Sequence, residues 1–207
     1  MTELRPITSS DVEQLYAISL ATGDRGEDAS HLYHDWRMLG HIYSAPYADL
    51  CPQDCFVAED EDGVAGFAVG TLDTREFEDR LVKDWWPNLR RRYLEPTGDP
   101  SGWNADQYRC FMIHHPRTAP DHVVESHPAH LHMNLLPRMQ GRGIGTRLLN
   151  LWMSNAYRRG AQAVHIGVNA SNERAMRFWE ARGFSVLSQT SDAESSGTVW
   201  CGRDFVD

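Results

Sequence analysis

The sequence predicts an α/β protein: one mixed sheet with helices on both sides. Three observations carry this reading. Short apolar runs alternate with helical stripes in the order β-α-α, hairpin, then β-α-β-α-β-β. Asp60-Glu61-Asp62-Gly63 separates two apolar runs as a hairpin turn. A strand over residues 130–136 runs into a glycine-rich stretch at 140–146 and out into an amphipathic helix. With 207 residues, of which 41% are hydrophobic, the chain can bury a core as one domain over 1–207.

Residues 4–7 form the first strand. Ser9, Ser10 or Asp11 caps a helix in which Val12, Leu15, Tyr16, Ile18 and Ser19 recur at helical spacing until Gly23. A polar loop at 22–28 leads to an aromatic-rich helix over 31–48, which Pro46 ends or kinks. The hairpin strands follow at 55–59 and 64–72. Ala65, Gly66, Ala68 and Gly70 predict close packing on both faces of the second. Residues 74–93 form a charged helix with Phe77, Leu81, Trp85 and Leu89 at spacings of four, interrupted by Pro87. A further helix at 104–115 turns Tyr108, Phe111 and Met112 inward, and 116–128 is an irregular loop rich in Pro and His. The block 74–128 reads as an insertion before the central strand, placed as a lid or substrate wall.

After the central strand, Ile144, Leu148, Leu149, Trp152 and Ala156 form one helical stripe, closed by Gly160. Val164, Ile166 and Val168 alternate as a strand. Residues 169–172 form a cap region. Ala175, Phe178, Trp179 and Arg182 share a face of the next helix, with Gly183 as its left-handed cap. Strands at 184–187 and 199–205, joined by a polar loop, complete the fold.

Lys and Arg total 20 against 29 Asp and Glu, a net charge of −9. That balance argues against non-specific nucleic-acid binding. No apolar run is long enough to cross a membrane. The start, Met1-Thr2-Glu3-Leu4-Arg5-Pro6, lacks a signal-peptide pattern, and the four cysteines form no dense framework. The expectation is a cytoplasmic protein with reduced thiols. Six histidines lie between His114 and His132, but without helical i,i+4 pairing or a cysteine partner at zinc spacing, so no metal is expected.

The stretch Gln140-Gly141-Arg142-Gly143-Ile144-Gly145-Thr146 carries the chemistry. Three glycines leave few β-carbons, so the backbone can wrap a ligand. The stretch ends at a helix N-terminus, whose free N–H groups and dipole favour an anion. Strand, turn and helix make a site for a phosphate or pyrophosphate. Neither the Walker spacing nor the dinucleotide Gly-x-Gly-x-x-Gly is present.

Gln140-x-x-Gly143-x-Gly145, a second strand ending at Asn169, Asn172 opening a helix, and Gly183-Phe184 closing it together resemble the GNAT superfamily of N-acetyltransferases. A further resemblance covers nearly the whole chain. Arg5-Pro6, residues 55–63, residues 66–73 and Tyr93-Leu94-Glu95-Pro96-Thr97-Gly98-Asp99 are similar to the C-terminal acetyltransferase-like domain of eukaryotic O-GlcNAcase, insertion included. That domain has a degraded pyrophosphate loop and is considered a pseudo-acetyltransferase. Here the loop is intact, which implies a free-standing, bacterial, cofactor-competent relative without the glycosidase half.

The resemblance implies a mixed, mostly antiparallel sheet and acetyl-CoA as acyl donor. It implies pantetheine contacts from the backbone of Leu135 and Leu136. It implies pyrophosphate contacts from the loop Gln140, Gly141, Arg142, Gly143, Ile144, Gly145 and Thr146, and orienting contacts from Asn169 and Asn172. Helix capping explains the two asparagines equally well. A tyrosine that often protonates the leaving thiolate in this superfamily is here Trp179. An indole N–H donates a hydrogen bond but has no usable acidity. Trp179 therefore packs along the pantetheine or simply in the core.

His130, His132 and Asn134 share one face of the central strand. His132 is the candidate base, and Asn134 a candidate acceptor contact. Asp73, at a strand end near the cleft in this fold, is a second candidate for base or amine binding, with a strand-end hydrogen bond as its plainer role. Trp85 is a candidate wall of the acceptor pocket. The implied acceptor is a small-molecule amine or a protein lysine, and the implied state a monomer or homodimer. The other reading is an acyl-CoA-binding or protein-interaction module without turnover.

Overall fold

A computed structural model describes residues 1–192 and 195–205. Seven strands form one sheet: β1 (Glu3–Pro6), β2 (Cys55–Asp60), β3 (Gly63–Thr71), β4 (Ala129–Leu135), β5 (Ala163–Asn169), β6 (Ser185–Asp192) and β7 (Ser195–Asp204). Their order across the sheet is β1-β2-β3-β4-β5-β7-β6. Every neighbouring pair is antiparallel except β4 and β5.

The helices are α1 (Val12–Ala21), α2 (Met38–Tyr43), α3 (Ala45–Leu50), α4 (Thr74–Arg80), α5 (Trp86–Arg92), α6 (Ala105–His114), α7 (Asp121–Ser126), α8 (Ile144–Arg158) and α9 (Glu173–Glu180). Strand alternation splits the core between them. Phe56, Ala58, Ala65, Ala68 and Leu131 face α8 and α9, whereas Val57, Phe67, Val69 and Cys55 face α1, α3 and α4. On α8, Leu148, Leu149 and Trp152 are fully buried. Each such side chain contributes roughly 1.5–3 kcal/mol. The Trp152 indole N–H also donates to the Asp54 carbonyl at 2.9 Å, pinning α8 beside the start of β2. Gly70 is required where these layers meet, because a β-carbon there would lie 2.3 Å from the His130 carbonyl and 2.7 Å from Trp152.

Several elements depart from the sequence expectations. Pro46 does not end a helix but occupies the first turn of α3, where its missing N–H costs nothing. The break falls at Ser44, whose φ and ψ are −143° and −50°. The helix over 74–93 widens into a π-turn at Leu81–Trp85 and continues through Pro87. Apolar spacings of four overrun an ordinary turn of ~3.6 residues, and the wider turn keeps Leu81, Trp85 and Leu89 against the core. On α6 the buried residue is Ile113, not Phe111, which is 37% exposed and stacks on His115. The Pro- and His-rich loop contains α7. The last two strands extend through most of their expected connecting loop, whose tip at 193–194 lies outside the described residues.

The block 74–128 builds its own small core. Trp86, Leu89, Tyr93 and Ile113 pack with Met38 of α2, flanked by Tyr33, Trp85 and Cys110. This anchors the insertion against the α2 region beside the sheet.

Candidate active site

β4 and β5 pair only at Ala129 with Val164 and at His130 with His165. Beyond that point each strand follows its other neighbour, β4 with β3 through Leu135 and β5 with β7 through Asn169. The strands therefore part, leaving a cleft of about 160 Å³ between residues 131–134 and 166–169, with Asn172, Ala175 and Trp179 of α9 along it.

Backbone direction fixes what β4 offers to this gap. The Leu136 N–H donates to the Ala65 carbonyl at 2.8 Å, on the β3 side. Alternation along a strand then turns the N–H and C=O of Leu135, Met133 and Leu131 the other way, into the gap. Leu136 differs from expectation: its carbonyl accepts from the Met139 N–H at 2.9 Å, so both of its backbone groups have partners.

The mouth of the gap is the glycine loop. Gly141 and Gly143 have φ of 68° and 73°, a left-handed conformation that strains residues with a side chain. Gly143 caps α8, whose first main-chain bond is the Arg147 N–H to the Gly143 carbonyl at 3.1 Å. No backbone N–H from Gly141 to Thr146 has an acceptor among the described residues. Gly145 is buried where a β-carbon would lie 3.1 Å from Leu135 and 3.2 Å from Phe178.

The side chains of this loop are largely committed to shaping it. Gln140 donates from Nε2 to the Leu135 carbonyl at 2.8 Å and accepts from Arg174 Nη1 at 2.9 Å. Arg174 reaches on to the Gly26 carbonyl at 3.2 Å. Thr146 Oγ1 accepts two bonds from Arg182, at 2.6 and 3.1 Å. Arg142 is exposed and donates to the Arg138 carbonyl at 3.2 Å. Asn169 holds Ser171 in a turn, its Oδ1 accepting from the Ser171 N–H at 2.9 Å. Asn172 caps α9, accepting from the Ala175 N–H at 3.0 Å. Asn169 thus closes a turn and Asn172 caps a helix, and both border the cleft.

The other face of β4 carries the histidines. His130 is fixed by a relay. The Thr74 hydroxyl donates to the Pro128 carbonyl at 2.6 Å, so it accepts from His130 Nδ1 at 2.7 Å, and the Tyr47 hydroxyl donates to Nε2 at 2.7 Å. His130 is thereby neutral, and burial pushes its pKa well below the ordinary value. His132 lines the cleft with no hydrogen bond to its ring among the described residues. Its ring lies 5.8 Å from that of Tyr43 and 5.5 Å from that of Tyr47. Burial pushes its pKa down to about 4, helped by His165. Asn134 donates to Thr22 Oγ1 at 2.6 Å.

Two expected site residues lie elsewhere. Asp73 is exposed and caps α4 through the Glu76 N–H at 3.0 Å. It follows the Thr71–His130 pairing, at the closed end of the split and away from the gap. Trp85 donates to the His41 carbonyl at 2.9 Å and packs in the insertion core. Trp179 is buried, borders the cleft and packs edge-on with Phe178 and Phe184. Arg109 and Tyr33 were not singled out from the sequence. The available signal was a charge at Arg109, one helical repeat before the buried Ile113 and so on the inward stripe of α6.

A sheet split between two parallel strands, with an N–H-lined loop at its mouth, defines a class of protein that can take an extended ligand ending in a phosphate. Residues 24–184 match the acetyltransferase (GNAT) family. A solved structure described as SsHAT is 30% identical, covers 100% of this chain and 99% of its own, and superposes with a TM-score of 0.88. O-GlcNAcase of Rattus norvegicus is 23% identical over 185 residues, which is 87% of this chain and 20% of that protein. Mycothiol acetyltransferase of Thermomonospora curvata is 30% identical over 115 residues, 54% of this chain and 37% of that enzyme. The chain thus spans about a fifth of the length of the rat relative. It belongs to the acetyltransferase (GNAT) family.

Proposed function

We propose that this chain transfers an acetyl group from acetyl-CoA to an amine. The observation that carries the reading is the run of unpaired backbone N–H groups from Gly141 to Thr146 at the mouth of the β4–β5 gap. Such a run matches a pyrophosphate. Gly145 supports the fit, since a side chain there would meet Leu135 and Phe178 and narrow the approach.

In this reading the gap-facing backbone of Met133 and Leu135 holds the pantetheine as an added strand, and the loop holds the pyrophosphate. Asn172 and Trp179 flank the arm. Acetyl-CoA supplies the acyl group in activated form, as a thioester. A backbone N–H on β4 aimed into the gap is suited to polarise the carbonyl oxygen. The amine must arrive neutral. An ordinary alkylamine has a pKa near ~10, and His132 at about 4 is unprotonated at neutral pH but a weak proton acceptor. Desolvation of the amine in the cleft therefore shares the work. Trp179 donates a hydrogen bond without giving up a proton, so solvent protonates the thiolate. The block 74–128 forms the outer wall of the acceptor side, and the implied setting is the bacterial cytoplasm.

Thermal unfolding with and without acetyl-CoA tests binding, because a ligand that binds only the native state raises the midpoint. Release of free CoA thiol across a panel of small amines and lysine peptides tests transfer. No thermal shift overturns the reading. A shift without thiol release from any amine moves it to a binding module.

A further inference from the structure

Arg109 projects from α6 with its side chain partly buried. Its Nε donates to the Tyr33 hydroxyl at 3.1 Å, and Nη1 faces the Met112 sulfur at 3.0 Å. The guanidinium carbon lies 5.6 Å from the centre of the Tyr43 ring. Among the described residues no carboxylate pairs with it, although the chain holds 29 Asp and Glu against 20 Lys and Arg. Asp106, one turn earlier on the same helix, is turned away. It accepts from the His34 amide at 2.9 Å and bonds His34 Nδ1 at 2.9 Å.

A hydroxyl and a thioether are poor acceptors for a cation withdrawn from water, and a guanidinium has five N–H donors to satisfy. The Tyr43 hydroxyl also has no partner among the described residues. Its ring packs against His132, which lines the cleft where β4 and β5 part. Two kinds of unmet donor, one of them a fixed positive charge, therefore stand one ring away from the candidate base. Both come from outside the cofactor loop, on the face of β4 opposite α8.

We infer that the acceptor is an amine that also carries a carboxylate, and that Arg109 seats that carboxylate through its planar fork, with the Tyr43 hydroxyl as a further donor. The inference rests on the acetyl-transfer reading above. A guanidinium matches a carboxylate with two parallel hydrogen bonds, which fixes orientation as well as affinity. Anchored there, the acceptor extends its amine past Tyr43 toward His132. A second positive charge at the seat, as in a diamine, meets repulsion from Arg109.

The test uses ω-amino acids of increasing length, each paired with its amide and with the amine lacking the carboxyl group. Thiol release is measured with acetyl-CoA, and binding of the same ligands by calorimetry with and without acetyl-CoA. The expected result is a preference of about 10- to 100-fold in kcat/KM for one carboxylate length over its amide, from hydrogen bonds to charged groups. Arg109→Gln raises KM for that acceptor by a similar factor, changes kcat less and abolishes the preference. Arg109→Lys restores part of it. The acetyl-CoA thermal shift is unchanged in both variants, which shows that they fold. Equal use of amides, a preference that survives Arg109→Gln, or loss of acetyl-CoA binding in that variant overturns the inference. So does a panel in which no carboxylate binds or reacts. Carboxylate binding that depends on Arg109, in a protein that acetyl-CoA does not stabilise, keeps the seat and rejects the acetyl-transfer reading.

Discussion

Asp11 accepts from Arg5 Nη1 and Nη2 at 2.7 and 2.8 Å, and from the Thr8 amide and hydroxyl at 2.7 and 2.8 Å. It is 4% exposed, and the bonds from Arg5 hold its pKa down at about 2. A lowered carboxylate pKa adds stability above the unfolded value, near ~3.9, and loses it as pH falls through the folded value. Asp11→Asn is therefore expected to cost about 2 kcal/mol at pH 7, read from urea unfolding. The cost should shrink as pH falls from about 4 toward 2. A penalty independent of pH in that window would show that the lost geometry, not the charge, matters. The His130 relay makes a second prediction. Thr74→Val leaves the Nδ1 proton without its acceptor in a buried site, at a cost of ~1–3 kcal/mol. Stability unchanged by that substitution would mean that the ring has another acceptor. At Trp179, the smaller ring of Trp179→Phe leaves a gap beside Phe178 and Phe184 and should lower the melting temperature, while changing kcat little, because an indole N–H is no acid. A fall in kcat of about 100-fold or more would instead give the indole a direct part in the reaction, since general acid–base groups contribute on that order.

At the scale of the element, the glycine loop couples conformation to binding. Gly143 sits at φ 73° and ψ 0° as the cap of α8. Gly143→Val forces a β-branched residue into the left-handed region, costing roughly 1–2 kcal/mol and turning the unpaired N–H groups off their common centre. Calorimetry with acetyl-CoA is expected to show affinity down about tenfold or more. Unchanged affinity would place the pyrophosphate elsewhere. This loop was legible from sequence because its information is local: glycine spacing, a strand before it and a helix after it. So were the hairpin at Asp62-Gly63 and the stripe of α8. What escaped was nonlocal. The parting of β4 from β5 follows from which strands claim each edge, and no residue within 129–135 states it. Leu136 looked available until the bond to Ala65 showed its amide taken. Pro46 reads the same in a first turn as at a helix end. Arg109 depends on contacts with Tyr33 and Tyr43, separated from it by more than sixty residues of chain.

For the whole molecule, the acid limit of stability follows from where its histidines sit. His41, His132 and His165 are pushed down to about 4 and His130 well below its ordinary value, burial being the largest cause for each. Among the described residues His41 bonds only through Nδ1, with the Tyr16 hydroxyl at 3.0 Å, while His165 donates from Nδ1 to the His127 carbonyl at 2.6 Å. His130, His132 and His165 cluster on the face of the sheet opposite α8, and His41 packs beside Tyr16 of α1. A histidine whose folded pKa lies below its unfolded value of ~6.5 is neutral in the fold but charged in the unfolded chain once pH drops below that value. Stability is then complete above about 6.5 and declines toward the folded pKa, by up to ~1.4 kcal/mol per pH unit for each ring. The signs of Asp11 and the histidines agree, but their windows do not overlap. Between pH 6.5 and 4 the loss belongs to the histidines, and Asp11 adds its share only below that. Urea unfolding across this range is expected to show level stability from pH 8 to 7 and a steep fall below 6.5. The slope should correspond to about four protons taken up on unfolding. His165→Asn should be less stable at pH 7 yet fall with a slope shallower by about one proton. Stability that stays flat from pH 6.5 to 5 would mean that these rings titrate alike in both states. The cleft histidine would then be protonated at mildly acidic pH and unable to serve as a base there.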